Sequence, residues 1–118
     1  MLSIILYLVA FHSMVVGIML MLRPERLMAF SDLDEANEIF YPVQSGVFHI
    51  VMAVGYSMAA WDIQAFSGLV IFSITVKFIA TLFLFIYYFL VQPRKIILAS
   101  GIADGIMGVV ILYVYSSV

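Results

Sequence analysis

The chain contains no cysteine, and that absence removes disulfides, thiol nucleophiles, iron–sulfur clusters, thiolate zinc sites and covalent c-type haem together. Charge is almost as scarce. Only 10% of the 118 residues are Asp, Glu, Lys or Arg, against about 25% in a soluble globular domain. The net charge of −2 is too small to point to a charged partner, and no basic run suggests nucleic acid. Catalytic signatures are missing as well. There is no G-x-S-x-G elbow, no phosphate-cradling glycine loop, no H-E-x-x-H and no close carboxylate pair placed for acid–base work. Enzyme activity by this chain alone is therefore not expected, and no metal site is expected either.

Apolar residues fill the space that these absences leave. They make up 66% of the chain, with a mean hydropathy of +1.22. A single small domain buries the smallest fraction of its surface on folding, so a protein of this length cannot hide that much apolar area from water. Lipid must act as its solvent. The hydrocarbon core of a bilayer is about 30 Å thick, which about 20 helical residues cross. Four stretches qualify, at about 2–22, 42–61, 66–91 and 96–115. The expected fold is all-α: a four-transmembrane-helix antiparallel bundle in a single integral membrane domain over 1–118. The first run lacks the basic leader and small-residue cleavage site of a secretion signal and reads as a span. Ser31 and Asp34 have capping-box-like spacing, predicting a short interfacial helix near 32–40 in the first loop.

The basic residues set orientation. Arg23, Arg26, Arg94 and Lys95 all fall in loops one and three, and the positive-inside rule makes those loops cytoplasmic, with both termini outside. A bacterial inner membrane is the expected location. Tyr7, Tyr41, Tyr113 and Tyr115 are candidate interface anchors, and the eight methionines suggest adaptable packing.

Two charges remain inside spans, each costing about 2.5–3.5 kcal/mol on insertion scales. Asp104 lies about 14 Å along its span from the 92–95 turn, and Lys77 about 21 Å along the preceding one. Because that turn makes the two spans antiparallel neighbours, a lysine side chain can close the offset. A Lys77–Asp104 ion pair is predicted. Gly101, Asp104, Gly105 and Gly108 share one face of almost no bulk, suited to close helix approach. Opposite them Ser73, Lys77, Ala80, Thr81 and Leu84 form a small and polar stripe, while Phe78, Leu82, Phe83, Phe85, Ile86 and Phe89 are left for lipid or neighbours. Ser45, Gly46, His49, Ala53, Tyr56 and Ala60 form a comparable face on span two. His12 and His49 fall at similar depth, so His12, His49, Tyr56 and Thr81 are candidates for a central polar cluster around the pair. The pair itself suits either a register-fixing role or a substrate or proton role, and the histidines suit hydrogen-bonded core positions better than ligation.

Several short motifs resemble those of the DoxX-like and related small four-helix membrane proteins of bacteria. They are Pro24 to Leu27 closing span one, Tyr41 to Gly46 entering span two, a mid-span basic residue in span three and Asp104-Gly105 in span four. In this sequence Lys77 stands where the family more often has Gly-Arg. The resemblance implies a membrane partner of redox or stress-response enzymes and carries no agreed catalytic residues. Three functions are thus open: a non-catalytic accessory or scaffold subunit of a larger membrane complex, an electron-transfer complex being one candidate; a small proton-coupled carrier using the Lys–Asp pair; and a lipid, quinone or haem-b binding module. The partners expected are the bilayer and other membrane subunits or a second copy of the chain.

Overall fold

In hydrocarbon every backbone N–H and C=O must be satisfied within the protein, and long uncharged runs achieve this as helices. A computed structural model describes residues 1–22 and 40–117. It contains α1 (Leu2–Leu22), α2 (Phe40–Trp61), α3 (Ser67–Leu90) and α4 (Lys95–Ser116), and no strand among the described residues. All four are long and apolar enough to cross a membrane, so the chain is an integral membrane protein. The short helix expected near 32–40 lies outside the described residues, apart from Phe40, which opens α2.

Local chemistry sets the ends. Pro42 sits in the first turn of α2, where its missing N–H costs nothing, so the helix begins two residues earlier than expected. Between α2 and α3 the Asp62 carboxylate accepts a hydrogen bond from the Ala65 amide at 3.0 Å, closing a tight turn. Pro93 disfavours helical backbone at Gln92, which stops α3 and turns the chain into α4.

The helices pair as two antiparallel hairpins, α1 with α2 and α3 with α4, and the hairpins meet through narrower α2–α3 and α1–α4 contacts. Each hairpin is sealed by glycine. A Cβ on Gly46 would lie 2.6 Å from the Gly17 carbonyl oxygen, and one on Gly17 2.7 Å from that of Gly46, so the α1 and α2 backbones touch. On α4, Gly101 receives the Phe85 ring, Gly105 the Thr81 methyl and Gly108 the Lys77 Cβ. Of the two surroundings expected for Phe85, lipid or neighbours, the ring takes the neighbour, α4. Gly101 leaves a hollow, and an aromatic ring fills it.

The main core lies at one end, next to both termini and the 62–66 turn. There Leu2, Leu6, Val9 and Ala10 of α1 meet Tyr56, Ala59 and Ala60 of α2, Val70 and Ile74 of α3 and Ile111 of α4. Tyr115, read as an interface anchor, packs half-buried against this cluster, whereas Tyr7, Tyr41 and Tyr113 are exposed. Toward the opposite end burial is confined to the seams within each hairpin, at Ser13, Gly17, Gly46 and Gly101.

Candidate functional site

Lys77 lies near the middle of α3 with its stem against Gly108, where a Cβ would stand only 3.0 Å from that of Lys77. From that seat the side chain runs one helical turn along α4 toward the 91–94 turn, and its Nζ donates to Asp104 Oδ1 at 2.8 Å. Four residues of helical rise separate Gly108 from Asp104, about 6 Å, which matches the offset expected from counting along the two spans. The Lys77 side chain is 8% exposed and that of Asp104 20%. The predicted ion pair is present. A charge-assisted bond of this length between side chains shielded from water stabilises strongly relative to either charge alone.

A third helix joins the pair. The Tyr56 ring of α2, 2% exposed, presents its face to Lys77 Nζ at 5.4 Å from the centroid. This is cation–π range. The contact links the two hairpins at mid-depth, just inside the apolar core. On the termini side of the pair the buried groups of α3 are Val70 and Ile74, together with Ser73, whose hydroxyl donates to the Leu69 carbonyl at 2.7 Å. That end is closely packed and mainly apolar.

The other candidate residues divide. Thr81 directs its hydroxyl to the Lys77 carbonyl of its own helix at 2.8 Å and its methyl to Gly105, so it packs the seam rather than serving a cluster. His49 is half-buried, and its carbonyl oxygen accepts a 2.7 Å bond from the Ser13 hydroxyl, which also lies 3.5 Å from His49 Nδ1. Ser13 was missed from sequence; its place on the Leu6–Val9–Gly17 face of α1 is the signal that finds it. His12 falls about 100° around α1 from Ser13 and is exposed. Among the described residues His12 shares no hydrogen bond with His49, whose polar contacts are with Ser13. No group of three or more His, Cys, Asp or Glu among the described residues is arranged to hold a metal ion.

His49 also borders a wide-open surface depression of about 290 Å³, to which Tyr41, Gln44, Ser45, Phe48 and Met52 contribute. Tyr41, Ser45, Phe48, Met52, Tyr56 and Ala59 recur every three or four residues and so form one stripe of α2. Its termini half, Tyr56 and Ala59, is buried in the core; its other half, including Tyr41 at 67% and Phe48 at 60% exposure, is not. Ser45, read with Gly46, His49, Ala53, Tyr56 and Ala60 on one face of span two, is exposed and lines this depression.

The chain matches no family model, no curated protein and no solved structure in comparisons with known proteins. The likeness to DoxX-like proteins rests on the short motifs alone, of which Pro24 to Leu27 lies outside the described residues.

Proposed function

We propose that this protein is a non-catalytic accessory or scaffold subunit that packs laterally against other subunits in a membrane complex. The observation that carries the reading is the lateral surface. Within the most apolar stretch of each span, only 28% of residues in α1 and α2, 22% in α3 and 17% in α4 are buried inside the chain. Long rows of Phe, Ile, Leu and Val are left facing outward, among them Ile79, Leu82, Phe83 and Ile86 on α3 and Ile102, Ile106 and Val109 on α4. The described connections at 62–66 and 91–94 are short, so the described mass lies within the spans.

The ion pair supports a structural role in this reading. Lys77 is held by Asp104, the Tyr56 ring and the Gly108 seat, and the region beyond it toward the termini is mainly apolar core. A proton-coupled carrier would have to open that core in every cycle. Loops one and three lie on the cytoplasmic side in our reading, because they hold four of the five basic residues. Extraction of the tagged chain in a mild detergent or a lipid-encircling polymer, followed by quantification of co-purifying subunits, tests the proposal. A partner at fixed stoichiometry is expected. Recovery of the chain as a lone, stable monomer would overturn it.

A further inference from the structure

His12 is the central residue of the 21-residue helix α1, about 15 Å from either end of the span. Its side chain is exposed, and it makes no hydrogen bond among the described residues. In a bilayer that exposure is to acyl chains. We propose that this outer face of α1 pairs with the same face of a second copy of the chain, His12 bonding to His12 across the contact at mid-bilayer.

Three observations select this occupant. The unpaired group is the first. A neutral imidazole carries one N–H donor and one acceptor nitrogen, and hydrocarbon satisfies neither, so a histidine at this depth calls for a polar partner. Thr75, exposed on α3, donates to the Ile71 carbonyl of its own helix at 2.9 Å; His12 has no such bond. Spacing is the second. Leu8, His12, Val15, Met19 and Leu22 follow one another at intervals of four, three, four and three, the seam of a left-handed helix pair, and all five are exposed. The packed face of α1, with Leu6, Val9, Ser13 and Gly17, points elsewhere and leaves that seam free. One polar residue within such a seam fixes register and partner number. Symmetry is the third. In the orientation proposed above, with four of the five basic residues on one side, every copy inserts the same way. Two such copies are related by a two-fold axis along the bilayer normal, which sets each seam residue opposite its counterpart at equal depth. His12 then meets His12, one ring donating and the other accepting. A different subunit would need its own polar group at the midplane; a second copy brings one. The exposed rows of α3 and α4 named above are apolar and select no occupant.

The test uses the full chain, purified and reconstituted in phosphatidylcholine vesicles. The chain has no cysteine of its own, so a single introduced one reports a single position. Oxidation should link Leu8→Cys or Val15→Cys into dimers, whereas Ile102→Cys, on the outer face of α4, should stay unlinked. Energy transfer between copies labelled through Ser117→Cys, followed as lipid dilutes the protein, should give a dimer constant that weakens about tenfold in His12→Leu. His12→Gln keeps a donor and an acceptor and should restore the dimer. Leucine at this exposed position leaves the packed face of α1 untouched, so a lost dimer is not a lost fold. Energy transfer no greater than that of randomly mixed labels would overturn the proposal. So would dimers that link through Ile102→Cys and not through α1, or that stay as tight in His12→Leu. Linking of Leu8→Cys to a different protein in native membranes, with no self-linked product, would also overturn it and give the face to another subunit. The proposal goes beyond the subunit reading and fails separately from it, since a dimer of the chain alone neither requires nor removes a partner at fixed stoichiometry.

Discussion

The two hairpins solve the same problem by different physics. α1 and α2 are held by proximity: two glycines bring backbone against backbone, and the neutral Ser13 hydroxyl donates to the His49 carbonyl across the seam. α3 and α4 are held by charge: their glycines seat side chains rather than backbone, and a lysine and an aspartate bond across the seam. In lipid no hydrophobic drive pulls helices together, so association rests on close packing and on polar groups with nowhere else to go. The first hairpin relies on the former and the second adds the latter. A steric seam fails when atoms are added, and an electrostatic seam fails when one partner is taken away.

The largest expected effect comes from removing one charge. Asp104→Ala leaves Lys77 unpaired in a dry interior, and breaking such a pair costs about 3–5 kcal/mol. Unfolding in mixed micelles should show that loss, and the double variant Lys77→Met/Asp104→Ala should recover most of it. Equal or greater damage in the double variant would mean that the charge does not hold this seam. The steric seam is tested by addition. Gly46→Ala puts a methyl 2.6 Å from the Gly17 carbonyl oxygen, backbone that cannot move aside as a side-chain tip can. A destabilisation of about 1–3 kcal/mol is expected, the usual range for overpacking. Between the hairpins, Tyr56→Leu removes the ring facing Lys77 Nζ and should cost about 2 kcal/mol through that contact. If the contact is what couples the hairpins, that cost should largely vanish in a Lys77→Met background; simple additivity would assign Tyr56 to apolar packing alone.

The contrast between the hairpins also explains which parts could be foreseen from sequence. Lys77 and Asp104 are conspicuous because charge inside a span is costly, and the short 91–94 turn fixes how α3 and α4 lie side by side, so counting residues placed one against the other. The contact of Gly17 with Gly46 had neither signal. Each stands alone in its stretch of helix, and the long connection from 23 to 39 leaves the α1–α2 register open to counting. His12 looked internal by depth, yet the inward face of α1 is set by Leu6, Val9, Ser13 and Gly17, and His12 lies off it. Ser45 belongs to the stripe that α3 covers near the termini but not near the start of α2. How far two hairpins cover one another depends on their mutual packing, which the periodicity of a single helix does not encode.

The smallest expected effect is the one that separates close approach from mere helix composition. Gly55, on the same helix as Gly46, has nothing within 4 Å of the position its Cβ would take. Alanine there adds a methyl to open space and reduces the freedom of the unfolded backbone, so Gly55→Ala should raise stability by about 0.5–1 kcal/mol. The same backbone gain applies at Gly46, where the clash with Gly17 must outweigh it. Measured side by side, the two substitutions therefore differ only in what the methyl meets. Opposite signs would assign the α1–α2 seam to backbone contact at Gly46; a gain at both positions would mean that the helices can part by a few tenths of an ångström without cost, and that the Ser13–His49 bond carries the seam instead.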